Sequence, residues 1–305
     1  SPFALPETGV ATIIVESGAG EIQRFYADHL PPVSEPEIPS VSVGYELSGP
    51  INVNAQPGEE VVIRGRHIIG KVTPGIDGQN YVINVRGQAK SVLIEGCEVE
   101  NFVYGINIES RKPHPDAALP DPIPVATLNQ VYVHDTFHAG PGSARDTRGS
   151  SVFGFNIALV NIIDTFCEDG GYKPGVQPDD AFSHHFYIVN EIGELHLKRV
   201  VLNNASSHAI NGGAVSLDGV ICANCPVHFG VKRSVGTMRD AWSVAVSDRE
   251  ILGDWEGEQS VQWDWYRSNS LAGIVKVVES DPIDWAKVRA AKAEDRYEVA
   301  RGYLQ

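Results

Sequence analysis

Three histidines occupy equivalent positions in successive short runs of strand-forming residues. His185, His208 and His228 each lie near the start of such a run, so aligning the runs places them in one column. Gly105 and Gly154 take the same column in two earlier runs. Because an imidazole titrates near neutral pH, a histidine held close to a substrate can serve as a general base or acid. The histidine column is therefore the first candidate for chemistry.

A second column lies two residues further along each run, on the same face of a strand, because strand side chains alternate between two faces. This second column contains Asn107, Asn156, Tyr187, Ile210 and Gly230. The residues between the two columns are mostly apolar and are expected to face a core. The alternation therefore predicts that the histidine column, the two asparagines and the tyrosine face outward.

Two long segments without a strand pattern, residues 137–151 and 166–183, come just before runs in this alignment. Loops of this length inside a compact fold usually carry function. We expect them to form the wall of a cleft beside the histidines. The segments contain side chains that could neutralise, hold or protonate a substrate, namely Arg145, Arg148, Glu168, Asp169, Lys173, Asp179 and Asp180.

The runs belong to an internal repeat. Val61-Val-Ile-Arg-Gly65 recurs as Val92-Leu-Ile-Glu-Gly96, 31 residues later, and shorter copies follow downstream. A repeat of strand, polar turn and strand is typical of a solenoid, because one coil cannot bury its apolar face alone. The predicted turn positions are Gly70, Asn101, Thr136, Thr165, Asn204 and Asn224. The predicted buried residues include Ile94, Val99, Val133, Ile162, Phe186, Val201 and Phe229.

With these strand runs and turn residues, the sequence resembles the right-handed parallel β-helix proteins of the pectate-lyase-like superfamily. The resemblance implies an all-β fold, with a right-handed single-stranded parallel β-helix, a solenoid, over residues 51–235. Residues 1–50 are expected to form an irregular N-terminal cap or linker. Residues 236–305 contain all five tryptophans and are expected to form a partly helical C-terminal capping segment. Its terminal helix is predicted to begin at Asp281-Pro282 and to run to about Arg301.

Members of this superfamily include polysaccharide lyases, glycoside hydrolases, sugar epimerases, phage tailspikes and adhesins, so the resemblance implies a carbohydrate-active protein. The function that we favour is a polysaccharide lyase that cleaves a uronate-containing polymer by β-elimination. His185, His208 or Tyr187 would be the base or acid, and Arg145 or Lys173 would face the substrate carboxylate. The predicted substrate-binding residues are His228, Asn107, Asn156, Arg148, Glu168, Asp169, Asp179 and Asp180. The alternatives are a glycoside hydrolase that uses loop carboxylates, and a non-catalytic carbohydrate-binding or phage or cell-surface fibre module.

The histidine column also allows two readings without acid–base chemistry. The side chains could be ordinary polar surface residues, or they could bind zinc. A rise of nearly 5 Å between coils fits poorly with Zn–N bonds of about 2.0–2.1 Å, so no metal ligand is predicted. No cofactor is required, although the loop carboxylates could bind Ca²⁺.

Composition limits the range of partners. The net charge is −15 and there is no long basic run, which disfavours nucleic acid as a partner. The sequence contains no run of 18 or more apolar residues, so no membrane-spanning helix is predicted. Cys222 and Cys225 have CxxC spacing but no second pair, so the four cysteines are expected to be small buried residues. The first residue, Ser1, fits a processed N-terminus and a secreted or periplasmic protein.

Overall fold

The computed structural model describes residues 12–16, 22–26, 46–70, 81–111, 118–136, 149–171, 183–189, 193–247 and 275–305. The first strands in chain order are β1 (Thr12–Glu16), β2 (Ile22–Tyr26), β3 (Glu46–Ser48), β4 (Ile51–Ala55), β5 (Glu60–Arg64), β6 (Arg66–Ile69), β7 (Tyr81–Gly87), β8 (Ser91–Glu95), β9 (Glu98–Phe102) and β10 (Tyr104–Glu109). They are followed by β11 (Ile123–Asn129), β12 (Tyr132–Thr136), β13 (Ser150–Phe155), β14 (Ile157–Ile163), β15 (Phe166–Gly170), β16 (His184–Val189), β17 (Glu194–Ala205), β18 (His208–Ala223), β19 (Val227–Val244) and β20 (Val275–Val278).

From β3 onward, strands of successive coils pair in parallel and form three long ladders. The first sheet contains β4, β7, β10, β13, β16 and the starts of β18 and β19. The second contains β5, β8, β11, β14 and the next parts of β17, β18 and β19. The third contains β3, β6, β9, β12, β15, the ends of β17, β18 and β19, and β20. The described chain is therefore an all-β parallel solenoid.

The coils turn at corners where the same position in each coil has a left-handed backbone. Between the second and third sheets, φ runs from 47 to 77° at Gly65, Gly96, Gln130, Asp164, Arg199, Gly219 and Asp240. After the third sheet, φ is also positive at Asp135, Asp169, Asn204, Asn224 and Ala245. Gly, Asn and Asp predominate because the left-handed region costs them least.

The turn residues predicted from the repeat fall partly on this second corner. Asn204 and Asn224 are confirmed, and the register of β6, β9 and β12 places Gly70 and Asn101 in the same row. The turn predicted at Thr136 is wrong by one position, because Asp135 has the left-handed backbone. The turn predicted at Thr165 is also wrong, because Thr165 follows Asp164, which lies at the corner between the second and third sheets. Short strands on either side of two different corners look alike in sequence, which explains the second error.

One apolar cluster fills the interior of the coils and a second lies on the outer side of the third sheet. The predicted core residues Ile94, Val99, Val133, Ile162, Phe186 and Phe229 are buried in the interior cluster. Val201 is buried too, but in the outer cluster, under the C-terminal segment. All four cysteines are buried, as the sequence predicted, and none of them forms a disulfide.

The C-terminal segment contains α1 (Trp285–Ala290) and α2 (Arg296–Arg301), joined by a short 3₁₀ turn. Asp284 caps α1, because its side chain accepts a hydrogen bond from the backbone N–H of Lys287. The single helix predicted from Asp281 to Arg301 is interrupted at Ala291, whose backbone is extended. The segment packs on the side of the third sheet. The strands also continue past the expected boundary at residue 235, through β19 to β20.

The helices of the described residues include none long and apolar enough to cross a membrane.

Candidate functional site

The strand register separates the three histidines that the sequence alignment put in one column. Phe186 pairs with Ile210, so His208 lies beside His184 and not beside His185. His185 and His228 do share a row, with Ala209 between them. Gly154 is three positions out of the column, since it pairs with Ile188. The sequence alignment was therefore out of register by one residue at His208 and by three residues at Gly154.

The error has a physical cause at the start of each strand of the first sheet. Adjacent residues there are both buried inside, as at Ala209 and Ile210, so strict alternation does not hold. His185 is fully buried beside the buried Phe186 in the same way. His184 and Tyr187, three residues apart, then lie on the same side of the sheet, and their rings stack at 4.9 Å with an angle of 13°.

His185 and His228 are interior residues. His185 Nδ1 lies 3.0 Å from Ser151 Oγ, and His185 Nε2 lies 2.8 Å from the carbonyl oxygen of Asn203. His228 Nδ1 lies 2.9 Å from Ser243 Oγ. Burial lowers the pKa of His185 to about 4 and that of His228 to about 3, although a backbone hydrogen bond acts against the shift at each. The prediction that His185 and His228 face outward is therefore wrong, and their burial gives no support to the catalytic role predicted for His185 or the binding role predicted for His228.

A row of polar and aromatic side chains lies on the outer side of the first sheet, and we call it the outer row. In strand order it contains Asn52, Asn84, Asn107, Phe153, Tyr187 and Asn211. The first three asparagines of the row form an amide ladder, with Asn84 donating to Asn52 at 3.0 Å and Asn107 donating to Asn84 at 2.8 Å. The rings of Phe153 and Tyr187 meet edge to face at 5.6 Å, and both side chains are half-buried.

His184 and His208 join the outer row beside Tyr187. Their rings lie 5.0 Å apart, and Asn211 Nδ2 lies 3.3 Å from His184 Nε2. His208 Nδ1 lies 2.7 Å from Ser207 Oγ. We call His184, Tyr187, His208 and Asn211 the histidine–tyrosine cluster. The structure thus brings two of the predicted catalytic residues, Tyr187 and His208, into one cluster, with His184 in the place expected for His185.

The two predicted binding asparagines have different surroundings. Asn107 belongs to the outer row, as expected, but it is fully buried. Asn156 lies at the left-handed corner between β13 and β14, with φ of 55°. Its side-chain amide donates to the carbonyl oxygens of Ser110 at 3.2 Å and Pro120 at 2.9 Å. Asn156 therefore holds the chain that follows β10, and it is not part of the outer row.

The two predicted loop carboxylates that the structure describes belong to β15. Glu168 accepts hydrogen bonds from the Tyr132 hydroxyl and from Arg289 Nη1, the latter at 2.7 Å. Asp169 accepts a hydrogen bond from Asn204 Nδ2 at 2.7 Å. Both are on the third sheet, whereas the histidine–tyrosine cluster is on the first. Their contacts join the coils and the C-terminal segment, so the structure does not bring them together with Tyr187 and His208.

The remaining predicted site residues lie outside the described residues. They are Arg145, Arg148, Lys173, Asp179 and Asp180.

A group of ionisable side chains that the sequence analysis did not select could hold a metal ion. It lies on the outer side of the third sheet and consists of two sets of three that share Glu100, namely His67, Glu98 and Glu100, and Glu100, His134 and Asp135. A signal for it was present in the repeat, since aligning Ile68 with Val99 puts His67 beside Glu98. Aligning Val99 with Val133 likewise puts Glu100 beside His134. The structure has both of these pairings.

Comparison of the chain with models of known protein families, with curated proteins and with solved structures finds no match.

Proposed function

We propose that this protein is a right-handed parallel β-helix of the pectate-lyase-like kind that binds a carbohydrate polymer along the outer row and cleaves it as a polysaccharide lyase. The observation that carries the proposal is the outer row itself, with His184 and His208 beside it. Equivalent side chains repeat there at the strand spacing of about 4.7–4.9 Å. Asn84, Asn107 and Asn211 are buried, so a linear polymer lying along the solenoid would make its contacts on the half-buried Phe153 and Tyr187 of adjacent coils.

Stacking is the proposed basis of recognition. Phe153 and Tyr187 are half-buried neighbours on adjacent strands. Aromatic rings offer a broad apolar surface against which the C–H face of a sugar can pack. The tyrosine hydroxyl adds a hydrogen-bonding group at the edge of that surface.

An acidic polymer is favoured by the cations at the end of the same strands. Arg86 and Arg111 both pair with the buried carboxylate of Glu109, and Arg86 Nε lies 2.8 Å from Glu109 Oε1. Glu109 is two residues after Asn107 and lies on the same side of β10. These two guanidinium groups and one carboxylate together carry one positive charge. A uronate carboxylate can interact favourably with it despite the net charge of −15 on the whole chain.

The proposed reaction is β-elimination. A base removes the proton next to the uronate carboxylate, electrons form the new carbon–carbon double bond, and the glycosidic oxygen leaves with a proton from an acid. Tyr187 is the most accessible member of the histidine–tyrosine cluster, so we assign it the contact with the polymer. His184 is 5 % and His208 3 % exposed, which suits a supporting role in proton transfer behind Tyr187. This chemistry requires no organic cofactor.

The test combines a panel of uronate and neutral polysaccharides with matched variants. Elimination produces an unsaturated uronate, which absorbs in the ultraviolet. Tyr187→Phe should lower turnover on the accepted polymer by about 10²-fold, the usual contribution of an acid or base, and leave the melting temperature unchanged. Tyr303→Phe, on the C-terminal segment, is the control and should keep full turnover. Elimination by Tyr187→Phe at the wild-type rate would refute the assignment.

A non-catalytic carbohydrate-binding module is the second candidate, and the burial of both histidines favours it. It predicts that a polymer binds without any product, and that Tyr187→Ala abolishes the binding. The hydrolase alternative has less support, because Glu168 and Asp169 are engaged in contacts on a different sheet. In either role we propose a polysaccharide or oligosaccharide partner rather than nucleic acid or membrane, and a secreted or periplasmic location.

A further inference from the structure

Two histidines and two glutamates from three successive coils meet on the outer side of the third sheet. Glu98 and Glu100 are two residues apart on β9, so both point outward. His67 on β6 pairs with Glu98, and His134 on β12 pairs with Glu100. The two carboxylates therefore lie between the two imidazoles.

Each imidazole lies within 3.7 Å of both carboxylates, and the two sets of potential metal ligands, one with His67 and one with His134, share Glu100. His67 Nε2 lies 3.1 Å from Glu100 Oε1 and 3.7 Å from Glu98 Oε1. His134 Nε2 lies 3.2 Å from Glu98 Oε1 and 3.6 Å from Glu100 Oε2. In a tetrahedral shell with metal–ligand bonds of about 2.0–2.2 Å, neighbouring ligand atoms are about 3.3–3.6 Å apart. An ion could thus replace the protons between imidazole and carboxylate with small side-chain movements.

His134 is also held in the orientation that a metal ligand needs. Its Nδ1 lies 2.9 Å from Asp135 Oδ2, and its ring stacks on Tyr132 at 4.3 Å. A carboxylate that accepts the Nδ1 hydrogen leaves the Nε2 lone pair free to coordinate, which is the usual outer-shell arrangement around protein-bound zinc. Here Nε2 faces the carboxylate oxygens of Glu98 and Glu100, which only accept, so it donates its hydrogen to Glu98 at 3.2 Å, and a bound metal would take the place of that hydrogen.

The side chains of this histidine and carboxylate cluster are partly exposed to solvent. The side chains of His67, Glu98, Glu100 and Asp135 are 22 to 27 % exposed, and that of His134 is 12 % exposed. An ion can therefore enter from solvent without unfolding of the sheet. Partial burial also reduces the competition of water for the ligands.

We propose that His67, Glu98, Glu100 and His134 bind one divalent transition-metal ion of the zinc class, and that Asp135 orients His134. Mixed imidazole and carboxylate ligands suit zinc and its neighbours, whereas Ca²⁺ and Mg²⁺ prefer oxygen ligands alone. The ion would cross-link β6, β9 and β12, and with them three coils of the solenoid. The site is on a different sheet from the outer row, so it does not depend on the carbohydrate proposal.

The test uses the full chain without a histidine tag, treated with a chelator and then titrated with Zn²⁺ by calorimetry. We expect one equivalent to bind, and a Zn²⁺-dependent rise in melting temperature. His67→Gln and Glu100→Gln should each weaken Zn²⁺ binding by at least about 100-fold, and Asp135→Asn by about 10–100-fold, as for other outer-shell partners. The double variant Glu194→Gln/His196→Gln removes an exposed pair with Nε2 and Oε2 3.0 Å apart and should bind Zn²⁺ like the wild type.

Co²⁺ substitution gives a second measurement that does not depend on whether the variants fold. Wild-type protein loaded with Co²⁺ should show visible absorption bands of a low-coordinate nitrogen–oxygen site. Failure of the chelator-treated wild type to take up either ion would overturn the proposal. So would unchanged Zn²⁺ affinity in folded His67→Gln and Glu100→Gln. The cluster would then be a network of polar contacts between histidines and carboxylates that joins the coils without a metal.

Discussion

Neighbouring histidines of β16 have different environments, and the difference decides what each can do. His184 lies on the outer side, in ring contact with Tyr187 and His208. His185 is enclosed in the interior, where its hydrogen bonds to Ser151 and Asn203 join two sheets. An enclosed neutral histidine is a structural residue, and its influence should appear in stability rather than in activity.

The buried His185 should make the protein less stable in mild acid. Its pKa is about 4 in the fold, below the value of about 6.5 expected in the unfolded chain. The unfolded state therefore binds the proton first as the pH falls, so stability is complete above about pH 6.5 and decreases toward pH 4. For His185 alone, the free energy of unfolding should fall by about 2 kcal/mol between pH 7 and pH 5.

Urea unfolding of the wild type and His185→Gln at both pH values measures this loss. The variant should show a pH dependence smaller by about that amount, whatever its stability at pH 7. His196→Gln, at a more accessible histidine, is the matched control. Equal pH dependence in His185→Gln and wild type would show that His185 is not buried in its neutral form.

Among the elements, the C-terminal segment covers the outer side of the third sheet. Trp285 of α1 stacks on Phe166 at 6.2 Å, and the Arg296 guanidinium lies 4.5 Å from the Tyr132 ring centroid. Arg289 pairs with the buried carboxylate of Glu168. These contacts cover a strip of aromatic and aliphatic side chains that would otherwise face water.

Arg289→Ala should destabilise the protein by about 2 kcal/mol, because it leaves the buried Glu168 carboxylate with the Tyr132 hydroxyl but no cation. Thermal or urea unfolding measures the change. Lys292→Ala removes an exposed cation nearby in the same segment and should cost less than about 0.5 kcal/mol. If both variants unfold alike, the Arg289–Glu168 pair contributes no more than an exposed charge.

At the scale of the whole molecule, the outer cluster makes the solenoid depend on its last residues. Phe166, Val201, Ile221 and Trp242 line the outer side of the third sheet under the C-terminal segment. Exposed apolar strips of this kind promote association. The solenoid has its own interior core, so its coils do not require the segment for their internal packing.

Deleting residues 281–305 should therefore leave most of the β-structure but expose this strip. We expect stronger binding of a hydrophobic dye and self-association by size-exclusion chromatography, relative to the full chain, with a similar far-ultraviolet circular dichroism spectrum. A deletion variant that elutes and binds dye like the full chain would show that the segment does not shield the outer cluster.

Several features could be determined from the sequence because they are repeated along it. The recurrence of strand and polar turn predicted a parallel solenoid, and Asn204 and Asn224 were placed correctly at turns. The interior residues Ile94, Val133 and Ile162 were also correct, because apolar alternation in the middle of a strand reports which side is buried. Such local patterns need no knowledge of distant residues.

Other features depend on how the coils stack, and only the tertiary structure decided them. Strict alternation fails where a strand begins at a corner, so His185 turned inward and His184 joined Tyr187 and His208. Because the loops between coils differ in length, the sequence did not show which residues of successive strands pair with each other. The Glu168–Arg289 pair joins residues 121 positions apart. The grouping of His67 with Glu98 and Glu100 arises from coils lying side by side, because parallel stacking brings side chains together by register rather than by nearness in sequence.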